Sequence, residues 1–254
     1  MRKIALVTGA SAGIGRAAAQ KLAENKYNII ITGRRLKQLE DLKNELGIKY
    51  KSDVYILNFD ITNQEETSNA IDSLPEAWKK IDVLVNNAGL SVGLNHIQDG
   101  IIEDWERMID TNIKGLLYIS NKVMPLMIAR SSGHIVNITS IAGKEVYESG
   151  NVYCATKSAA DAITKGMRID LLKHNIKVTS IAPGMVETEF SIVRFKGDKE
   201  RAGQVYKGLV PLSGDDVADA IIYAVTRPAH VNINDMLIMP VAQASATYVN
   251  RTNN

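Results

Sequence analysis

"VTGASAGIGRAAA", residues 7–19, decides the fold. It follows the apolar run "IALVT" (4–8) and opens a small-residue segment of helical character, so it reads as the turn from a strand into a helix. Gly9, Gly13 and Gly15 stand in a G-x-x-x-G-x-G spacing. Glycines there permit positive φ, let backbone N–H groups approach a pyrophosphate and leave it at the positive end of a helix dipole. A tight turn without a ligand is the bland alternative. The stretch lacks the G-K-[ST] of a Walker loop, which makes kinase or NTPase chemistry a poor fit.

Outward from this turn, Val- and Ile-rich runs alternate with longer segments of helical period. The runs cover 4–8, 28–32, 54–59, 83–87, 134–138, 177–182 and 236–240. Strands apolar on both sides and separated by helices predict a parallel sheet covered on both faces. The expected fold class is therefore α/β: a Rossmann-type, doubly wound parallel sheet of about seven strands in a single domain, 1–254. Residues 187–213 form a longer polar excursion after the sixth strand and read as a lid over a site. The terminal "NRTNN" reads as a frayed tail.

Composition narrows the function. The 254 residues are 45% hydrophobic and 23% charged with a net charge of +2, and no block of like charges suggests nucleic acid or a membrane surface as partner. No apolar run approaches a membrane span, and the start of the chain does not resemble a signal peptide. A single cysteine, Cys154, forbids an internal disulfide, so a reducing cytoplasm is the expected home. The N-x-T triplets at Asn137 and Asn250 read as chance matches. His96, His134, His174 and His230 lack the spacing of a zinc site, so no metal is expected. Trp78 and Trp105 read as packing residues, and Cys154 as a buried small side chain.

At the end of the second run an NAD-binding protein usually places an acidic residue for the ribose 2′-hydroxyl. Here "TGRRLKQ" offers Gly33 and then Arg34 and Arg35, which suit a 2′-phosphate. A solvated arginine pair is the alternative. Tyr153 and Lys157 lie four apart in "GNVYCATKSAADA" (150–162), on one face of a helix kept slim by alanines. An ammonium about 4 Å from a phenol, at an effective dielectric of about 20, is worth roughly 4 kcal/mol, or about three pKa units. The expectation is a phenol brought near working pH, able to exchange a proton with an alcohol or carbonyl. Ser140, in "NITSIAG" after the fifth run, is placed to donate to the developing oxyanion.

Together these motifs resemble the short-chain dehydrogenase/reductase family over essentially the full chain. "NNAG" (86–89) and the "PG" of Pro183 and Gly184 fall in the expected order. The resemblance implies a tetrad of Asn112, Ser140, Tyr153 and Lys157. In it Tyr153 is the acid/base, Ser140 the substrate hydrogen bonder, Lys157 the holder of the nicotinamide ribose, and Asn112 the anchor of a water in a proton relay. For the cofactor it implies Gly9, Ser11, Gly13, Ile14 and Gly15, then Arg34, Arg35, Asp60 and Ile61. Asn87, Ala88, Gly89, Tyr153, Lys157, Pro183, Gly184, Val186 and Thr188 complete that set, Thr188 binding the carboxamide.

"NNAGLSVG", "EDWERMIDTNIKGL", "VETEFSIVRFKGD" and "LIMPVAQAS" look like the NADP-dependent 3-hydroxy acid dehydrogenases, the group of serine and L-allo-threonine dehydrogenases and malonic semialdehyde reductases. That likeness implies NADP as cofactor, a small 3-hydroxy acid as substrate and a homotetramer built on long helices from about Glu103 and Asn151. A carbonyl or 3-oxoacyl reductase of the same family remains a rival, as does a catalytically silent NADP(H)-sensing or scaffold protein. A hydroxy-acid carboxylate needs a cation, since a buried unpaired anion is costly. The lid offers Arg194 and Lys196, and the planar fork of Arg194 is the better match.

Overall fold

Seven parallel strands form one sheet in the order β3-β2-β1-β4-β5-β6-β7 in a computed structural model that describes residues 2–252. The strands are β1 (Ile4–Val7), β2 (Asn28–Gly33), β3 (Val54–Asn58), β4 (Ile81–Asn86), β5 (Gly133–Ile138), β6 (Ile176–Pro183) and β7 (Asp235–Ile238). All seven expected runs are therefore strands, displaced by a few residues at most. Alternate side chains serve opposite faces. Ala5 and Val7, Ile29 and Ile31, Val83 and Val85 enter one core, while Ile4, Leu6, Ile30 and Leu84 enter the other. Burial on both sides explains why the runs are apolar without alternation.

On the first face lie α1 (Gly13–Glu24), α2 (Leu36–Tyr50) and α9 (Gly214–Val225). Buried Ala17, Ala18 and Ala19 of α1 meet Val217, Ala218 and Ile221 of α9, and these short side chains let the two backbones approach closely. Ser213 and Asp216 start α9 with a reciprocal capping box. The second face carries α3 (Gln64–Asp72), α5 (Leu116–Ile128) and α6 (Asn151–Asp170). The expected long helix from about Glu103 is present but not uniform: α4 (Ile102–Ile109) and α5 run on through a wider π-helical turn at Asp110–Gly115. Such turns interrupt the regular ladder and re-aim a side chain, and this one turns Asn112 inward until it is 2% exposed.

The order of strands reverses between β1 and β4, and the crevice beyond their carboxyl ends is where such sheets bind ligands. The 187–213 segment, with α7 (Phe190–Arg194) and α8 (Lys199–Gln204), crosses that crevice. The frayed tail is overturned through Thr252. Arg251 donates to the carbonyls of Lys207 and Val205, and the Thr252 N–H reaches Gly208 O at 2.8 Å, so residues 251 and 252 are tied to the segment after α8. A helix-terminal carbonyl set short of donors gives an arginine reason to dock. Residues 253 and 254 of the expected tail lie outside the described residues. Asn137 is fully buried in β5 and bonded to Thr164, which makes its N-x-T triplet a chance match as expected. No helix among the described residues is long and apolar enough to cross a membrane.

Candidate active site

A cavity of about 780 Å³ opens at the carboxyl ends of the strands. Its floor on one side is the glycine loop, with Gly9 at φ +65° and Gly13 at φ +53°. No side chain caps the first turn of α1, so its N–H groups are left for a ligand on the cavity side. Gly15 is required for a different reason: a Cβ there would lie 2.4 Å from Gly9 O and from Asn87 Nδ2. Asn87 locks the loop from behind. Its Nδ2 donates to Thr8 O at 2.9 Å and Gly9 O at 3.2 Å, while the N–H groups of Asn87 and Ala88 both donate to Thr8 Oγ1 at 3.0 Å. At the nucleotide end, Arg34 meets Asp60 at 3.3 Å, and Arg35 reaches Ser11 Oγ and Glu189. Burial works against the Asp60 charge, but donation from Thr62 and the nearby Arg34 outweigh it and hold the carboxyl below its usual range. These groups fit a dinucleotide with a diphosphate on the uncapped helix and a 2′-phosphate near the arginines.

The other half of the cavity is built on α6. Tyr153 and Lys157 share its buried face and both line the cavity, at 8% and 7% exposure. Ser140 sits at the end of β5, fixed by a bond from the Ala142 N–H to its Oγ at 3.1 Å. The turn after it is pinned to α6 by Lys144, which reaches Asp161 at 2.7 Å and Asp235 at 2.6 Å. Asn112 straps the loop after β4: its Oδ1 accepts from Leu90 N at 2.9 Å, and its Nδ2 donates to Leu90 O at 2.8 Å and to Thr156 Oγ1 at 3.0 Å. A Cβ on Gly89 would lie 3.2 Å from Asn112 Oδ1 and 3.4 Å from Lys157 Nζ, so these two groups converge on one glycine. Of the residues expected at the site, only Gly15 and Asn112 stand behind the cavity wall.

The acidity expected of Tyr153 is not what this arrangement produces. Burial pushes the phenol above its ordinary value, helped by Tyr147, and the strongest opposing effects are the charge of Arg194 and hydrogen bonding with Ser140. Lys157 turns its ammonium to Ile138 O at 3.0 Å, and burial lowers its own pKa to about 8. Desolvation of two neighbouring groups that prefer water therefore outweighs the pairwise attraction expected from helix spacing.

Arg194 lies over the Tyr153 ring, with its guanidinium carbon 5.2 Å from that centroid and 5.3 Å from the centroid of Phe190. Its Nε donates to Ser91 Oγ at 3.1 Å and its Nη2 to Tyr147 OH at 2.6 Å. It faces the cavity with no carboxylate partner among the described residues. Lys196 does not: it is paired with Asp104 at 2.8 Å.

The sequence profile of the short chain dehydrogenase family matches residues 3–199. The chain belongs to the short-chain dehydrogenase family. Among similar members, the NADP-dependent 3-hydroxy acid dehydrogenase YdfG of Salmonella typhi is 47% identical over 244 residues, spanning 96% of this chain and 97% of that protein. The NADP-dependent 3-hydroxy acid dehydrogenase of Schizosaccharomyces pombe is 41% identical over 250 residues, 98% of this chain and 96% of its own. A solved structure of the closed form of serine dehydrogenase complexed with NADP+ superposes with a TM-score of 0.92 at 44% identity, covering 99% of this chain and 100% of the other.

Several residues of this short-chain dehydrogenase site carry no sequence signal. Tyr147 and Ser91, which hold Arg194, come from two loops, and Phe190, which packs on Tyr153 at 5.6 Å between ring centroids, opens α7. Gln243 joins from the C-terminal segment and accepts from Met185 N at 2.8 Å. Cys154 is buried beside the site, as expected, and burial raises its thiol pKa. His134 is buried at the far end of β5, bonded to Thr179 at 2.8 Å, and Trp78 packs on Tyr55.

Proposed function

We propose that this chain oxidises small 3-hydroxy acids to 3-oxo acids, and catalyses the reverse reduction, with NADP(H). The observation that carries the substrate class is Arg194: a fixed guanidinium without a carboxylate partner, placed beside the Tyr153 ring in the cavity. A carboxylate offers it two parallel hydrogen bonds. The glycine loop and the first turn of α1 would hold the NADP⁺ diphosphate, Arg34 and Arg35 its 2′-phosphate, Lys157 its ribose and Thr188 its carboxamide, and the bound cofactor would supply the hydride acceptor for the alcohol carbon.

Tyr153 takes the hydroxyl proton in oxidation and returns it to the carbonyl oxygen in reduction, while Ser140 donates to the same oxygen. Because burial raises the phenol pKa, it is poised as an acid at neutral pH, and Arg194 and Ser140 are the groups that oppose that rise. Asn112 works one layer back: by holding Leu90 and Thr156 it keeps the loop after β4 against α6. The 187–213 segment acts as a lid that carries Arg194 over the cavity. A reducing cytosol suits the unpaired Cys154, and a homotetramer would cover the exposed Ile102, Leu117, Tyr223 and Leu237. Light scattering at micromolar concentration checks the assembly, and a monomer refutes it.

The test is a spectrophotometric panel with NADP⁺ against serine, threonine stereoisomers, 3-hydroxyisobutyrate and neutral alcohols. Turnover of hydroxy acids well above neutral alcohols is expected. Preference for neutral substrates would favour a carbonyl reductase, and no turnover at all would favour a sensing or scaffold role.

A further inference from the structure

The two arginines at the nucleotide end are already matched. Arg34 Nη1 lies 3.3 Å from Asp60 Oδ2, and Arg35 Nη1 lies 2.8 Å from Glu189 Oε2. Two cations and two carboxylates cancel, so an arriving phosphate meets no net positive charge and must compete for its partners. The two carboxylates differ in how they are held. Asp60 Oδ1 takes the Thr62 N–H at 3.0 Å and its hydroxyl at 2.9 Å, which fixes it in place. The Glu189 carboxylate has no hydrogen bond except that from Arg35 among the described residues, and it stands between Thr188 and α7 at the N-cap of that helix. Arg35 also turns Nε and Nη2 to Ser11 Oγ of the glycine loop, at 3.2 and 3.0 Å. One guanidinium thus ties the glycine loop to the start of α7, and α7 ends in Arg194.

We propose that Glu189 is a specificity-determining carboxylate: its ion pair with Arg35 is displaced by the cofactor's 2′-phosphate, and this displacement frees the start of α7 from the glycine loop. The inference rests on the NADP(H) reading above. A 2′-hydroxyl carries no charge with which to compete for Arg35, so NAD(H) leaves the pair closed. Cofactor choice is thereby read twice, once as affinity at the arginines and once as the freedom of the segment that carries Phe190 and Arg194. Both partners are solvent-exposed, so the coupling weakens as salt rises.

Adenosine 2′,5′-bisphosphate and 5′-AMP differ only in the 2′-phosphate and neither reaches the nicotinamide end, so they isolate this contact. Calorimetric titration of both into the wild type and Glu189→Gln is paired with limited trypsin cleavage at Lys196, Lys199 and Arg201. The expected result is an approximately 1.5- to fivefold tighter bisphosphate affinity in the variant, the range for removing an exposed competing ion pair, with 5′-AMP unchanged. The bisphosphate should speed cleavage of the wild type, whereas the variant should be cleaved quickly with or without it. Unchanged or weaker bisphosphate binding by the variant overturns the proposal, as does wild-type cleavage indifferent to the bisphosphate. A wild type that binds both nucleotides equally overturns the NADP(H) reading itself, and the inference with it.

Discussion

Arg194→Ala isolates the contact on which the substrate class depends. The guanidinium is held before any substrate arrives, by Ser91 and Tyr147 and by three aromatic rings within 6 Å, so its orientation adds little entropy cost on binding. Losing a charge-assisted pair costs about 1.5–3 kcal/mol, which is about ten- to a hundredfold in KM for a hydroxy acid. Neutral alcohols have no carboxylate to lose and should keep their KM. The same substitution removes the positive charge that most strongly opposes the raised Tyr153 pKa, so the pH dependence of kcat should move to higher pH for both substrate types. Arg194→Gln, which retains reach but not charge, should reproduce the KM effect. Steady-state kinetics with serine and with a neutral alcohol of similar size, from pH 7 to 10, separates the two consequences. Equal KM losses on charged and neutral substrates would refute the carboxylate contact and assign Arg194 to folding of the α7 region.

Tyr153→Phe retains the ring that packs on Phe190 but removes the proton, so turnover should fall by at least about 100-fold while NADP⁺ titration still shows binding; near-normal turnover would sink the acid/base assignment. Oxidation by the wild type should speed up with rising pH, because burial raises the phenol pKa and the base form is the ionised one; a rate that falls from pH 7 to 9 contradicts this. Replacing Arg34 and Arg35 together by neutral residues should erase the preference for NADP⁺ over NAD⁺ in kcat/KM, and a retained preference would move 2′-phosphate recognition elsewhere. His134 is held neutral by burial, its pKa lowered from 6.5 to about 3. Between those values the unfolded chain binds the extra proton, so stability is present above pH 6.5 and is lost as pH falls. The loss by pH 5 is about 2 kcal/mol, measurable by urea denaturation and absent in a folded His134→Gln variant.

The sheet and half of the site are legible in the chain because their causes are local. A strand buried on both faces must be apolar throughout, and a glycine loop must carry glycine where φ is positive, so β1 to β7 and residues 9–15 announce themselves in short windows. Helical spacing likewise places Tyr153 beside Lys157 in sequence terms. What that spacing does not contain is the surroundings. The shift of the Tyr153 phenol follows from the water excluded around it by Tyr147, in the loop before α6, and Phe190, in the lid segment, groups from separate elements. The same holds for the Arg35–Glu189 pair, whose partners stand 154 residues apart, and for Arg251, whose contacts turn an apparently loose tail into a strap on residues 205–208. The π-helical turn at Asp110–Gly115 is decided by packing too, since "IDTNIKG" suits an ordinary helix and only its fit against Ile61, Leu90 and Thr156 turns Asn112 inward. Backbone conformation and burial pattern are written residue by residue, whereas desolvation and charge pairing depend on which distant side chains share a space, and only the folded chain determines that.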